Sequence, residues 1–90
     1  MTIWKFKLSP TDVQVVKMPK GAQILTVQTQ SKYDDICLWA LVDPEQPRED
    51  RTFYVHGTGH SIGDIEDKRY ISTFQMANGG LVFHVFERIS

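Results

Sequence analysis

Cysteine is nearly absent from this sequence. With Cys37 alone, neither an intrachain disulfide nor a cysteine-based zinc site can form. Long hydrophobic runs are missing as well, and no apolar stretch approaches the ~18 residues of a membrane-crossing helix. The opening Met1-Thr2-Ile3-Trp4-Lys5-Phe6-Lys7 alternates in polarity and lacks the apolar core of a secretory signal, so a cytoplasmic setting without membrane contact is expected. An excess of either charge is also lacking: lysine plus arginine number 10, aspartate plus glutamate 11. Lys17, Lys20 and Lys32 are scattered among acids and build no basic stripe, so nucleic acid is not an expected partner. Internal repeats and low-complexity tracts are absent.

What is present is a globular composition in 90 residues, 41% of them hydrophobic, enough for one domain (residues 1–90). At this length folding hides roughly 64% of the unfolded surface, which leaves a modest core. The dominant period is two. Trp4, Phe6 and Leu8 point one way and Lys5 and Lys7 the other, the pattern of a half-buried strand. Ser9-Pro10 suits a helix start, but the short run that follows carries Val13, Val15 and Val16, which favour a second strand. Pro19-Lys20-Gly21 is a turn. Ile24 to Gln30 reads as a strand with Leu25 and Val27 inward. Ser31 to Asp35 reads as a polar loop, and Ile36 to Val42 as a central strand, with Cys37 a buried small hydrophobe.

The stretch Asp43–Arg51, charged and proline-bearing, reads as an exposed mobile loop. Thr52 to His56 is a strand running into Gly57-Thr58-Gly59, and Ser61 to Arg69 is polar and irregular. Tyr70–Met76 and Leu81–Ile89 form a hairpin about Ala77-Asn78-Gly79-Gly80, where Asn78-Gly79 permits positive φ. The expected fold is all-β: a small sandwich or partly open barrel of about seven short, mainly antiparallel strands. Ile36–Val42 and Leu81–Val85 look apolar on both faces. So short a chain cannot easily bury both, and a homodimer or higher homo-oligomer is expected.

Few residues carry chemistry. His56-Gly57-Thr58-Gly59-His60 spaces two histidines as a helical zinc site would, but its glycines argue against a helix. On an extended strand the rings would stand roughly 13 Å apart. A turn that closed this gap could recruit His84, Asp64, Glu66 or Asp67, whereas the plain alternative is a strand-ending turn with partly exposed histidines. No metal and no cofactor are expected. The backbone of Gly57, Thr58 and Gly59 could present amides to an anion, although the stretch is neither a phosphate-binding loop of the Walker type nor a dinucleotide fingerprint. Ser61 next to His60 is sequence adjacency rather than a dyad, and Asp34-Asp35 and Asp64-Ile65-Glu66-Asp67 read as solvated loop acids. Ten aromatic residues fill a small β core or stack on a ligand. Trp39 and Tyr54 fall opposite the other core residues of their strands, which directs them to a subunit interface or a ligand pocket.

The segments Ile3-Trp4-Lys5-Phe6, Met18–Val27, Leu38–Val42, Phe53–His60, Tyr70–Gln75 and Leu81–Glu87 follow one another in a familiar order. With the Gly57-Thr58-Gly59 turn and the Val82-Phe83-His84-Val85-Phe86-Glu87 ending, the chain resembles a family of small uncharacterised proteins, domains of unknown function, of tailed phages and bacteria. The resemblance covers nearly the whole chain and carries over no functional residue. It implies a phage or prophage accessory gene acting in the host cytoplasm, a context in which small binders block host proteins or sequester host immune signals.

The leading expectation is therefore a non-enzymatic binding module, in its sharper form a counter-defence protein that sequesters a small anionic, nucleotide-like ligand at a subunit-shared site. Amides at Gly57, Thr58 and Gly59 would hold the anion. Trp39 or Tyr54 would stack, and His56, His60 or Arg69 would supply polar contacts. The rival is a module that inhibits or bridges a host protein through a sheet face or the Asp43–Arg51 segment. A third class is a metal-dependent hydrolase using His56, His60 and nearby acids.

Overall fold

The structure is a computed structural model that describes residues 1–31 and 33–89; Lys32, one of the scattered lysines, lies outside the described residues. Among the described residues seven strands form two antiparallel sheets. The first has the order β1 (Thr2–Leu8), β4 (Asp35–Val42), β3 (Gln23–Gln30). The second has the order β2 (Val13–Pro19), β5 (Arg48–Gly57), β7 (Leu81–Arg88), β6 (Lys68–Met76). The all-β sandwich expected from the period-two pattern is the observed architecture, and the segment after Ser9-Pro10 is strand β2 rather than helix.

The inner faces follow from the alternation. Phe6 pairs with Leu38 and Leu8 with Ile36, so the apolar set of β1 meets that of β4 while Lys5 and Lys7 stay in water. From the second sheet Met18, Phe53, Val55, Phe74 and Val85 close the core. Phe53, Leu38, Val27 and Val85 are fully buried, and each large apolar side chain so placed stabilises the fold by about 1.5–3 kcal/mol. Cys37 is a buried free thiol, as its apolar surroundings imply.

The sheets converge where β3 lies against β6. Ser72 Oγ, buried, donates to Val27 O at 2.7 Å, accepts from Gln28 Nε2 at 3.0 Å and lies 3.2 Å from Thr26 Oγ1. Thr29 Oγ1 donates to Gln75 O at 3.1 Å. Both strands shift register at this seam, between Ile24 and Thr26 and between Tyr70 and Ser72. The bulge corrects the expectation for Leu25: the extra residue turns it outward, 43% exposed, and leaves Ile24 and Val27 facing the core. On the opposite side β1 and β2 remain edge strands, with the Arg48 guanidinium 5.3 Å from the centre of the Trp4 ring. The fold is thus a sandwich closed on one side.

Several details differ from expectation. Only 43–47 of the charged segment is loop; Arg48–Arg51 belongs to β5, because Lys17 faces Asp50 across the β2–β5 ladder (2.7 Å) and Arg51 reaches Glu87 on the other side. Lys68 and Arg69 already belong to β6, where Arg69 pairs with Glu87. Leu81 is half-exposed rather than buried on both faces, since β5 ends opposite Phe83 and leaves the tip of β7 uncovered. The β6–β7 turn has positive φ at Ala77 (53°), Asn78 (55°) and Gly79 (88°), and Asp34 Oδ2 holds it by accepting from Ala77 N–H at 2.8 Å.

Candidate functional site

The outer face of the four-stranded sheet carries an aromatic row. Phe53 and Val55 point inward, so Tyr54 and His56 point outward, and the register brings His84 and Phe86 of β7 and Tyr70 of β6 onto the same face. The Tyr54 and His56 rings are nearly parallel (8°) with centroids 6.1 Å apart. Phe86 presents an edge to His56 at 6.2 Å and packs edge-on with Tyr70 at 5.7 Å. Lys68 Nζ stands 4.9 Å from the centre of the Tyr54 ring, within cation–π range.

At the end of β5 the chain reverses. His60 N–H donates to Gly57 O at 3.1 Å, and Gly59 has φ of +88°, the conformation required at the third position of a type II turn. The turn folds the His60 ring back over Gly57, leaving 3.1 Å between that ring and the place of a Cβ on Gly57. Thr58 is pinned to β7: its N–H donates to Val82 O at 3.2 Å, and its hydroxyl lies 2.8 Å from His84 Nε2. His84 Nδ1 lies 3.0 Å from Thr73 Oγ1, itself 2.7 Å from the Tyr70 hydroxyl. Both nitrogens of His84 are therefore engaged in one network running from Thr58 to Tyr70.

His56 is the opposite case. Its Nε2 is buried and has no hydrogen-bond partner among the described residues. Burial pushes its pKa below the usual histidine value; Asp12 opposes the shift, and Lys68 and His60 add to it. The ring is thus neutral at pH 7. His56, His60, His84, Ile62, Tyr70 and Phe86 line, with the turn, a cleft of about 240 Å³. A flat, partly apolar group with a hydrogen-bonding edge matches such walls.

A family model described as Domain of unknown function (DUF7352) matches residues 1–90. The chain belongs to this family. No curated protein and no solved structure matches it.

In this DUF7352 chain the expected site residues divide into two groups. His56, Gly57, Thr58, Gly59 and His60 come together in the cleft, with Tyr54 stacked on His56 beside it. Trp39 does not join them: it pairs with Lys5 and Thr26 on the outer face of the other sheet. Arg69 lies at the sheet seam, bonded to Glu87. Of the three amides expected to cradle an anion, those of Gly57, Thr58 and Gly59, that of Thr58 is engaged by Val82 O.

Among the described residues no group of three histidine, cysteine or acidic side chains is placed to hold a metal ion. The loop acids have local work: Asp34 caps Ala77 N–H, and Asp64 Oδ1 accepts from Glu66 N–H at 3.0 Å. No helix among the described residues is long and apolar enough to cross a membrane. Tyr70, Phe86 and Ile62 were not among the expected contacts, and His84 was expected only as a residue that a closed turn could recruit to a metal. The alternation placed His84 and Phe86 on one face of β7, but only the long-range pairing of β7 with β5 puts that face beside His56.

Proposed function

We propose that the chain is a non-enzymatic binding module that takes a small nucleotide-like ligand into the cleft beside Gly57–Gly59. The supporting observation is a cleft walled by aromatic rings, to which His56 contributes a ring whose buried Nε2 has no partner among the described residues. A buried polar group left unpaired costs about 1–3 kcal/mol, which a ligand edge bonded to it recovers. A heteroaromatic base offers such an edge together with two faces for Tyr70, Phe86 and the histidine rings. In the fuller form of this reading the gene is a phage or prophage accessory gene. The ligand is then a host immune signal sequestered in the host cytoplasm, and the site is shared in a homo-oligomer whose second copy supplies Trp39.

The test is thermal unfolding against a panel of nucleosides and nucleotides. Ligand at a hundred times its Kd stabilises the protein by about 2.7 kcal/mol. One ligand class is expected to raise Tm, and His56→Phe, which keeps a ring and removes the nitrogen, is expected to abolish the gain. A flat response to the whole panel would overturn the reading.

A second reading, a module that inhibits or bridges a host protein, draws on the same outer face. Val13 and Val15 are 55% and 58% exposed there, alongside Tyr54. A defined protein complex that Val15→Glu dissolves, formed by protein indifferent to the nucleotide panel, would favour it.

A further inference from the structure

The seam between β3 and β6 is not fully closed. The two bulges open a hollow of about 470 Å³, bounded by Gly21–Leu25 on one side and by Arg69, Tyr70 and Ile71 on the other. We propose that this hollow is an anion subsite built on Arg69, and that it takes the phosphate of the ligand whose base occupies the histidine cleft; the second clause rests on the nucleotide-like reading above.

Three observations carry it. First, Arg69 is anchored but largely unspent. Its Nη2 donates to Glu87 Oε1 at 2.9 Å, the side chain is 58% exposed, and a guanidinium has five N–H donors. Second, the anchor does not need Arg69 for neutrality. Glu87, 2% exposed, is met at both oxygens by Arg51, which Ala22 O (2.9 Å) and Glu49 (3.6 Å) hold in place. Arg69 therefore keeps its charge and most of its fork for the solvent side, in an orientation set before any ligand arrives. A planar fork held this way suits two oxygens of a phosphate, and prior ordering removes part of the entropic cost of binding. Third, Tyr70 lines both this hollow and the histidine cleft. The two sites therefore adjoin at Tyr70.

The inference names a ligand class: a nucleotide rather than its nucleoside. The first experiment titrates inorganic pyrophosphate into the full chain and follows backbone amide NMR shifts. Shifts at Gly21, Ala22 and Ile71 that vanish in Arg69→Gln, and are weaker in Arg69→Lys, support the subsite. Silence at the seam of the wild-type protein overturns it, whatever the variants do. The second experiment compares nucleosides with their 5′-monophosphates. Binding about tenfold tighter for the monophosphate, lost in Arg69→Gln, is expected. Equal binding of the two removes the subsite and leaves the cleft reading standing. Seam shifts with pyrophosphate but no binding of any nucleoside or nucleotide keep the anion subsite and remove the nucleotide reading.

Discussion

His60 lies folded over Gly57, its ring 3.1 Å from the position a Cβ on Gly57 would take. The ring lines the cleft, and its place there depends on a residue without a side chain. Gly59, two residues on, is required for another reason: its φ is +88° with open space around it. The two glycines therefore predict different outcomes. Gly57→Ala pushes an exposed ring that can swing away, so stability should stay within about 0.5 kcal/mol while the His60 ring resonances move. Gly59→Ala keeps the space but forces a left-handed backbone, and should cost about 1–2 kcal/mol in urea unfolding. Equal costs for the two substitutions would contradict this division.

Glu87 joins three strands by accepting from Arg51 of β5 and Arg69 of β6 while buried on β7. Removing the carboxylate leaves Arg51, 15% exposed, with the partly exposed Glu49 alone as counter-charge. Loss of one member of a buried ion pair typically costs about 3–5 kcal/mol, so Glu87→Gln should lower the urea midpoint severely. Arg51 itself has a pKa raised above its ordinary value, chiefly by its hydrogen bond to Glu87 and against the opposing effect of burial. A raised pKa stabilises below the unfolded value, itself far into the alkaline range, and the benefit fades only as pH rises through the folded one. The Glu87→Gln deficit should accordingly be flat from pH 7 to pH 10.

Much of this architecture was legible locally. The alternation of Trp4, Phe6 and Leu8 sets the faces of β1, and Asn78-Gly79 marks the hairpin turn. Trp39 and Tyr54, each opposite the core residues of its strand, do stand on outer faces. What was not legible depends on partners distant in sequence. Leu25 follows the inward alternation of Val27, yet the bulge at the seam with β6 turns it out. Arg48–Arg51 is loop-like in composition and becomes strand because Lys17 and Glu87, far away in sequence, answer its charges. Trp39 and Tyr54 both suit a pocket, but they belong to different sheets. The buried Glu87 had a local signal, a lone acid ending the apolar run Val82–Phe86, whose meaning only the two arginines reveal.

Ser72 is the main side-chain link between the sheets. Its hydroxyl satisfies Val27 O and receives Gln28 Nε2 at the β6 bulge. Ser72→Ala leaves that carbonyl without its donor and should cost about 1–3 kcal/mol. Hydrogen exchange locates the effect: amides of β3 and β6 near the seam should exchange faster, while those of the β1–β4 ladder keep their protection. Uniform acceleration across both sheets would mean that Ser72 acts on global stability rather than on the seam.

His56 makes stability depend on pH in a definite direction. Its folded pKa is depressed, first by burial, below the unfolded value of 6.5. The unfolded chain therefore binds the proton more readily, and stability is full above 6.5 and falls as pH drops from there towards the folded pKa. His56→Phe keeps a ring between Tyr54 and Phe86 and removes the orphaned nitrogen, so at pH 7 the variant should be as stable as the wild type or more so. Between pH 7 and pH 5 its unfolding free energy should decline less steeply than the wild type's. The measurement is a series of urea titrations across that range. If the two slopes coincide, His56 does not account for the acid sensitivity, and its nitrogen has a partner in solution. The same nitrogen would then be unavailable to a ligand, and the case for the cleft would weaken with it.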